Sequence, residues 1–161
     1  MTKKEKIQFT LKMEAKYRPN EEAQEAVWMH GCASENAAKI IESLAANENP
    51  GEVCCTRPED PRTYKPYGLF VMGDVRAMFN TDVYSGYDSE TKIRFTDEEY
   101  WEECVADYSD LEDDGYYTES WVRVKEVAGV WIKHWIYSST STIEQAVVEE
   151  FKKLGLPITI V

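Results

Sequence analysis

Residues 121–161, WVRVKEVAGVWIKHWIYSSTSTIEQAVVEEFKKLGLPITIV, decide the fold class. Trp121 to Val127 and Val130 to Tyr137 are rich in β-branched and aromatic residues and flank Ala128 and Gly129, a pattern that predicts two paired strands joined by a tight turn. Ser141 and Glu144 carry the signature of a capping box, in which a hydroxyl and a carboxylate satisfy the first free amides of a helix. Behind them Ile143, Val147, Phe151 and Leu154 recur at helical spacing, and Gly155 stands where a left-handed residue closes a helix. Leu156 to Val161 reads as a final strand. Hairpin, helix and strand in that order put helices against an antiparallel or mixed sheet, which is an α+β fold.

Upstream, Ile7, Phe9, Leu11, Met13, Ala15 and Tyr17 alternate with polar residues, the period of two that predicts a half-buried strand. Pro19 stops it, and Asn20 caps a helix expected to run from Glu21 toward His30, ended or kinked at Gly31. Ser34 reads as the cap of a second helix through Asn47, striped by Ala37, Ala38, Ile41, Leu44 and Ala45. Asn49 to Tyr67 holds Pro50, Pro58, Pro61 and Pro66 and is expected to be irregular apart from a short strand at Val53 to Thr56. Leu69 to Met72 reads as a short buried strand and Asp74 to Phe79 as one helical turn. Thr96 and Glu99 match a further capping box, followed at helical spacing by Tyr100, Trp101, Cys104, Val105, Tyr108 and Leu111. The expectation is one α+β domain over residues 1–161 with about four helices.

A chain of 161 residues, 43% hydrophobic, can bury roughly 70% of its unfolded surface without metal or disulfide staples. Its 30 acids and 18 bases leave a net charge of −12, which argues against direct binding of DNA or RNA through phosphate neutralisation. No apolar run approaches the ~18 to 20 residues of a membrane span. Met1 to Lys6 opens with charge rather than the apolar core of a signal peptide, so a cytoplasmic protein without membrane association is expected.

Candidate chemistry is sparse. Cys32, Cys54, Cys55 and Cys104 with His30 and His134 lack the paired spacing of a zinc site, so reduced, mostly buried thiols and no metal or cofactor are expected. His134 falls in phase with Val130, Ile132 and Ile136 on a strand face, and His30 at a helix end complements the dipole, so neither is read as a catalytic base. Gly68 and Gly73 stand alone and make no phosphate cradle. Asp110, Glu112, Asp114 and Gly115 match the first half of an EF-hand loop, but the closing carboxylate position is Trp121. The many carboxylates single out no acid–base pair of the glycosidase kind. No catalytic residue is assigned, and a binding protein is favoured over an enzyme.

The acidity is local. Residues 82–119 hold 14 acids against Lys92 and Arg94, which accounts for the entire net charge of −12, while residues 1–18 lean basic. On the expected helix, residues four apart rise ~6 Å, comparable to successive phosphates along one nucleic-acid strand, so Glu98, Glu102 and the acids beyond them are expected to form a phosphate-like row. The partner-binding set is Asp97, Glu98, Glu99, Glu102, Glu103, Asp107, Asp110, Glu112, Asp113 and Asp114. Size, charge and charge placement make the chain comparable as a class to anti-restriction, anti-CRISPR and nuclease-immunity proteins, which occupy the basic groove of a nucleic-acid-processing partner; no motif ties it to any of them. The alternative is a protein that binds or modifies a small anionic, nucleotide-like molecule in a pocket lined by Arg57, Arg62, Tyr64, Lys65, Tyr67 and Arg76.

Overall fold

The structure, a computed structural model, describes residues 2–57, 65–80, 97–108 and 119–161, and the backbone of 87–88 and 93–94. It is an α+β fold of six helices and a five-stranded mixed sheet. In chain order the elements are α1 (Lys3–Lys16), α2 (Glu21–Glu25), β1 (Trp28–Gly31), α3 (Ser34–Ala45), β2 (Glu52–Cys55), β3 (Tyr67–Phe79), β4 (Tyr87–Asp88), β5 (Ile93–Arg94), α4 (Glu98–Cys104), β6 (Glu119–Ile132), α5 (His134–Tyr137), α6 (Thr142–Lys152) and β7 (Ile158–Ile160). These residues gather into two compact units, Met1–Gln24 with Val75–Trp121, and Glu25–Asp74 with Val122–Val161. The boundaries fall inside β3 and β6.

In the first unit the expected strand over Ile7 to Tyr17 is instead α1. Thr2 and Glu5 close a full capping box at its start: the Thr2 hydroxyl accepts from the Glu5 amide at 3.2 Å and the Glu5 carboxylate from the Thr2 amide at 2.6 Å. Phe9, Met13 and Tyr17 are alternate members of the apparent period of two, but they also lie four apart. That spacing puts them on one helix face, against a cluster of Ala77, Phe79, Trp101, Cys104 and Trp121. Phe79 meets Trp101 and Trp121 edge-on, with centroids 5.4 and 5.1 Å apart. Asn20 caps α2 as expected, its carbonyl accepting from the Ala23 amide at 3.1 Å. Gln24 then pairs through its side-chain amide with both the N–H and the C=O of Val75, each at 2.9 Å, standing in for a strand neighbour. β4 and β5 pair antiparallel.

Two corrections concern strands. Asp74 to Phe79 is not a helical turn but the end of β3. Trp121 to Tyr137 is not a hairpin: β6 runs through Ala128 and Gly129 without turning, and Lys133 ends it before α5. Gly129 serves a close approach rather than a turn, since a Cβ there would meet the Pro157 carbonyl oxygen at 3.0 Å.

The second unit holds β1, β2, β7 and most of β3 and β6, in the order β1-β3-β6-β2 with β7 added to β6. β1 pairs antiparallel with β3, Trp28 facing Val71 and Gly31 facing Gly68. Gly68 has no room for a side chain, because a Cβ would collide with the His30 carbonyl of the neighbouring strand. The expected helix from Glu21 toward His30 therefore stops at Glu25, since Trp28 to Gly31 is claimed by the sheet. Just past β2, Thr56 exchanges both backbone hydrogen bonds with Met29 of β1, so the strand path returns toward its own start. Trp131 is fully buried and donates from Nε1 to the Leu69 carbonyl at 3.0 Å. α6 buries Val148 and Phe151, its N-cap is Ser141 without a side-chain hydrogen bond, and Gly155 adopts φ +72° beyond its C-terminus. β7 closes the unit parallel to β6.

Candidate functional site

The acidic residues are held by α4, which is shorter than the sequence periodicity suggests. Asp97, not Thr96, is the N-cap, its carboxylate accepting from the amides of Glu99 at 2.8 Å and Tyr100 at 3.3 Å. Trp101 and Cys104 are buried and fix which side of the helix faces solvent. The helix ends at Cys104 because the next residues join β3: Val105 is extended and bridges Phe79, and the Ala106 amide donates to the Met78 carbonyl at 2.9 Å. The phosphate-like row is thus confined to one helix of 7 residues, and Asp107 lies outside it, exposed on the following segment.

Two acids of the expected row are engaged within the same unit. Lys16 donates to Glu98 at 2.9 Å and reaches Glu102 at 3.4 Å, Tyr17 donates its hydroxyl to Glu102 at 3.1 Å, and Lys12 lies 4.0 Å from Glu98. The Lys16 hydrogen bond holds the Glu98 carboxyl below the usual range, and the same bond raises Lys16 above an ordinary lysine. Glu99 and Glu103, also four apart, are exposed and form no ion pair among the described residues. Asp97, Glu99, Glu102, Glu103 and Asp107 are exposed and Glu98 is partly so, while Asp110, Glu112, Asp113 and Asp114 lie outside the described residues. So does the calcium-loop candidate that begins at Asp110.

The residues of the alternative anionic pocket fall partly in each unit and partly outside the described residues. Arg62 and Tyr64 lie outside the described residues. Arg76 belongs to the first unit, where its Nη2 and Nε donate to the buried Glu14 carboxylate at 2.9 and 3.2 Å. Arg57, Lys65 and Tyr67 belong to the second, where the Tyr67 ring packs on Phe151 at 5.2 Å. A groove of about 240 Å³ occurs in the first unit between Lys16–Asn20 and Val105–Tyr108, and none of the six residues lines it.

Three of the four thiols and one imidazole are wholly or partly buried, while Cys54 and His134 are exposed. Cys32, Cys55 and Cys104 are buried and Cys54 is exposed, all unbridged. Burial pushes the Cys32 thiol up to about 11, leaving it protonated at neutral pH. Among the described residues no cluster of three His, Cys, Asp or Glu side chains has the disposition of a metal site. His134 is not on a strand; it is the exposed first residue of α5. His30 is not at a helix end either: it lies in β1, partly buried, with Nδ1–H donating to the Cys54 carbonyl at 2.8 Å.

Burial lowers the His30 pKa below its ordinary 6.5, which makes a sign prediction. Above 6.5 the imidazole is neutral whether the chain is folded or unfolded and costs nothing. As the pH falls through 6.5 the unfolded chain takes up the proton first, so stability declines. The drop in Tm between pH 7.5 and 5.5 is expected to be smaller in His30→Gln; an equal drop in both proteins would remove His30 as its cause.

Among the described residues no helix is long and apolar enough to cross a membrane. No family model, curated protein or solved structure matches the chain.

Proposed function

We propose that the protein is a non-enzymatic acidic interaction protein that docks on the basic, nucleic-acid-binding surface of a partner protein and blocks it by charge mimicry. The observation that carries this reading is the placement of charge. The first unit holds 18 acids against 9 bases and the second 12 against 9, so three quarters of the excess sits on one unit. Within that unit Lys16 of α1 pairs with Glu98 and Glu102, while Glu99 and Glu103 stand exposed on α4 without an ion pair among the described residues. Like charges at i, i+4 cost a helix a few tenths of a kcal/mol per pair, which a binding role offsets. Tyr100 and Tyr108, half-buried among these acids, supply ring area of the kind that anchors protein interfaces.

The mimicry is tested by competition. Immobilised protein is expected to retain a basic nucleic-acid-processing protein from lysate at low salt, and a duplex DNA or RNA added in excess is expected to release it. Retention that nucleic acid does not disturb would show that the acidic face and the nucleic acid use different surfaces of the partner.

A further inference from the structure

Among the described residues the outer edge of β7 has no strand neighbour. β7 takes β6 as its neighbour on one side, Ile158 facing Val130 and Ile160 facing Ile132. Its flanks are bonded to that same side: the Val130 amide donates to the Pro157 carbonyl, Val161 to Ile132, and His134 to Val161, each at 2.8 to 3.0 Å. Backbone groups alternate from side to side along a strand, so the N–H and C=O of Ile158 and Ile160 point to the opposite edge. Among the described residues no strand covers that edge. Ile160 and Val161 are each 47% exposed, and Trp135, directly after the His134 that bonds Val161, is 59% exposed.

Charge selects what fits there. From Leu154 to Val161 the sequence carries no charged side chain, whereas open edges are ordinarily blunted by lysine or another charge. Residues 122–161 as a whole hold five bases and four acids, far from the acidity of 82–119. β7 offers a charged partner no charged side chain to pair with, while a second copy of the chain presents the same apolar strand with no like-charged side chain at the contact.

We propose that β7 pairs with β7 of a second copy, antiparallel about a twofold axis at Thr159. Ile158 of each copy then faces Ile160 of the other. These are the residues whose N–H and C=O are directed outward, so each facing pair exchanges two hydrogen bonds. The contact is isologous and closed, since a twofold at Thr159 uses the β7 edge of both copies at once.

The test is the mass of the full chain in solution, by sedimentation or light scattering from about 1 to about 200 µM. The wild type is expected to move from monomer to dimer over this range and to keep the dimer at high salt. Ile160→Pro removes one outward N–H without touching a β6 hydrogen bond, and Ile160→Lys adds a charge at an exposed position; both are expected to stay monomeric with an unchanged circular dichroism spectrum. A wild type that is monomeric throughout, or a dimer that survives both substitutions, overturns the proposal. A dimer lost instead on raising salt, or in Glu99→Lys/Glu103→Lys, overturns it too, and assigns self-association to the acidic face.

Discussion

Arg76→Met is expected to destabilise the protein by about 3–5 kcal/mol, the range for removing one member of a buried ion pair. Glu14 is 4% exposed, and two guanidinium nitrogens of Arg76 donate to its carboxylate. Methionine fills the volume but removes both guanidinium donors from a buried carboxylate. The cost lies in keeping that charge buried with less compensation rather than in the pair, so Glu14→Leu/Arg76→Met is expected to recover most of it. Denaturant unfolding of the three variants reads both effects. A loss below about 1 kcal/mol in the single variant would mean that water reaches Glu14 and that the pair behaves as a surface bridge.

Trp101→Ala is expected to cost a similar amount, about 3–5 kcal/mol, and to weaken partner binding as well. Trp101 is fully buried, packed edge-on against Phe79 in the cluster that joins α1, β3 and α4. A helix of 7 residues has no stability of its own in water and exists because its apolar side is anchored. Emptying the Trp101 site creates a large cavity and releases the element that presents Glu99 and Glu103. Unfolding by denaturant gives the first number and retention of the partner the second. A variant destabilised to this extent that still binds at full strength would mean that α4 does not form the contact.

The residues themselves explain which features could be read in advance. Asn20 as a cap, β2 near Val53 and the left-handed Gly155 rest on local chemistry, and local chemistry is legible in sequence; α3 instead takes Ala33 rather than Ser34 as its N-cap and buries Ala37 and Ile40, of which the expected stripe held only Ala37. α1 was ambiguous: Phe9, Met13 and Tyr17 satisfy both a period of two and an i, i+4 face, and the deciding signal was the Thr2–Glu5 capping box together with a run of helix-favouring Lys, Glu, Met and Ala. The end of α4 and the uninterrupted course of β6 could not be read locally. Val105 leaves its helix to meet Phe79, and Gly129 stays in its strand to admit Pro157, both distant in sequence.

The acidic face was legible as composition but not as geometry. Fourteen acids in residues 82–119 announce a local charge, yet nothing in their spacing tells that Lys16 bonds Glu98 and that Lys16 and Tyr17 bond Glu102. That contact bridges more than 80 positions and divides the row in two. Arg76 likewise reads as a free cation in a basic segment until the fold brings Glu14 to it.

The division of the row supplies the most direct measurement: partner retention at low salt by two double variants, Glu99→Lys/Glu103→Lys and Glu98→Lys/Glu102→Lys. Reversal of the exposed pair is expected to weaken binding roughly 100-fold or more, because lysines then face the partner's own cations, with the fold unchanged. Reversal of the engaged pair sets lysine against Lys16 and is expected to act mainly on stability. Full retention by Glu99→Lys/Glu103→Lys, with its circular dichroism intact, would contradict the account and return the acidic helix to a solvated surface.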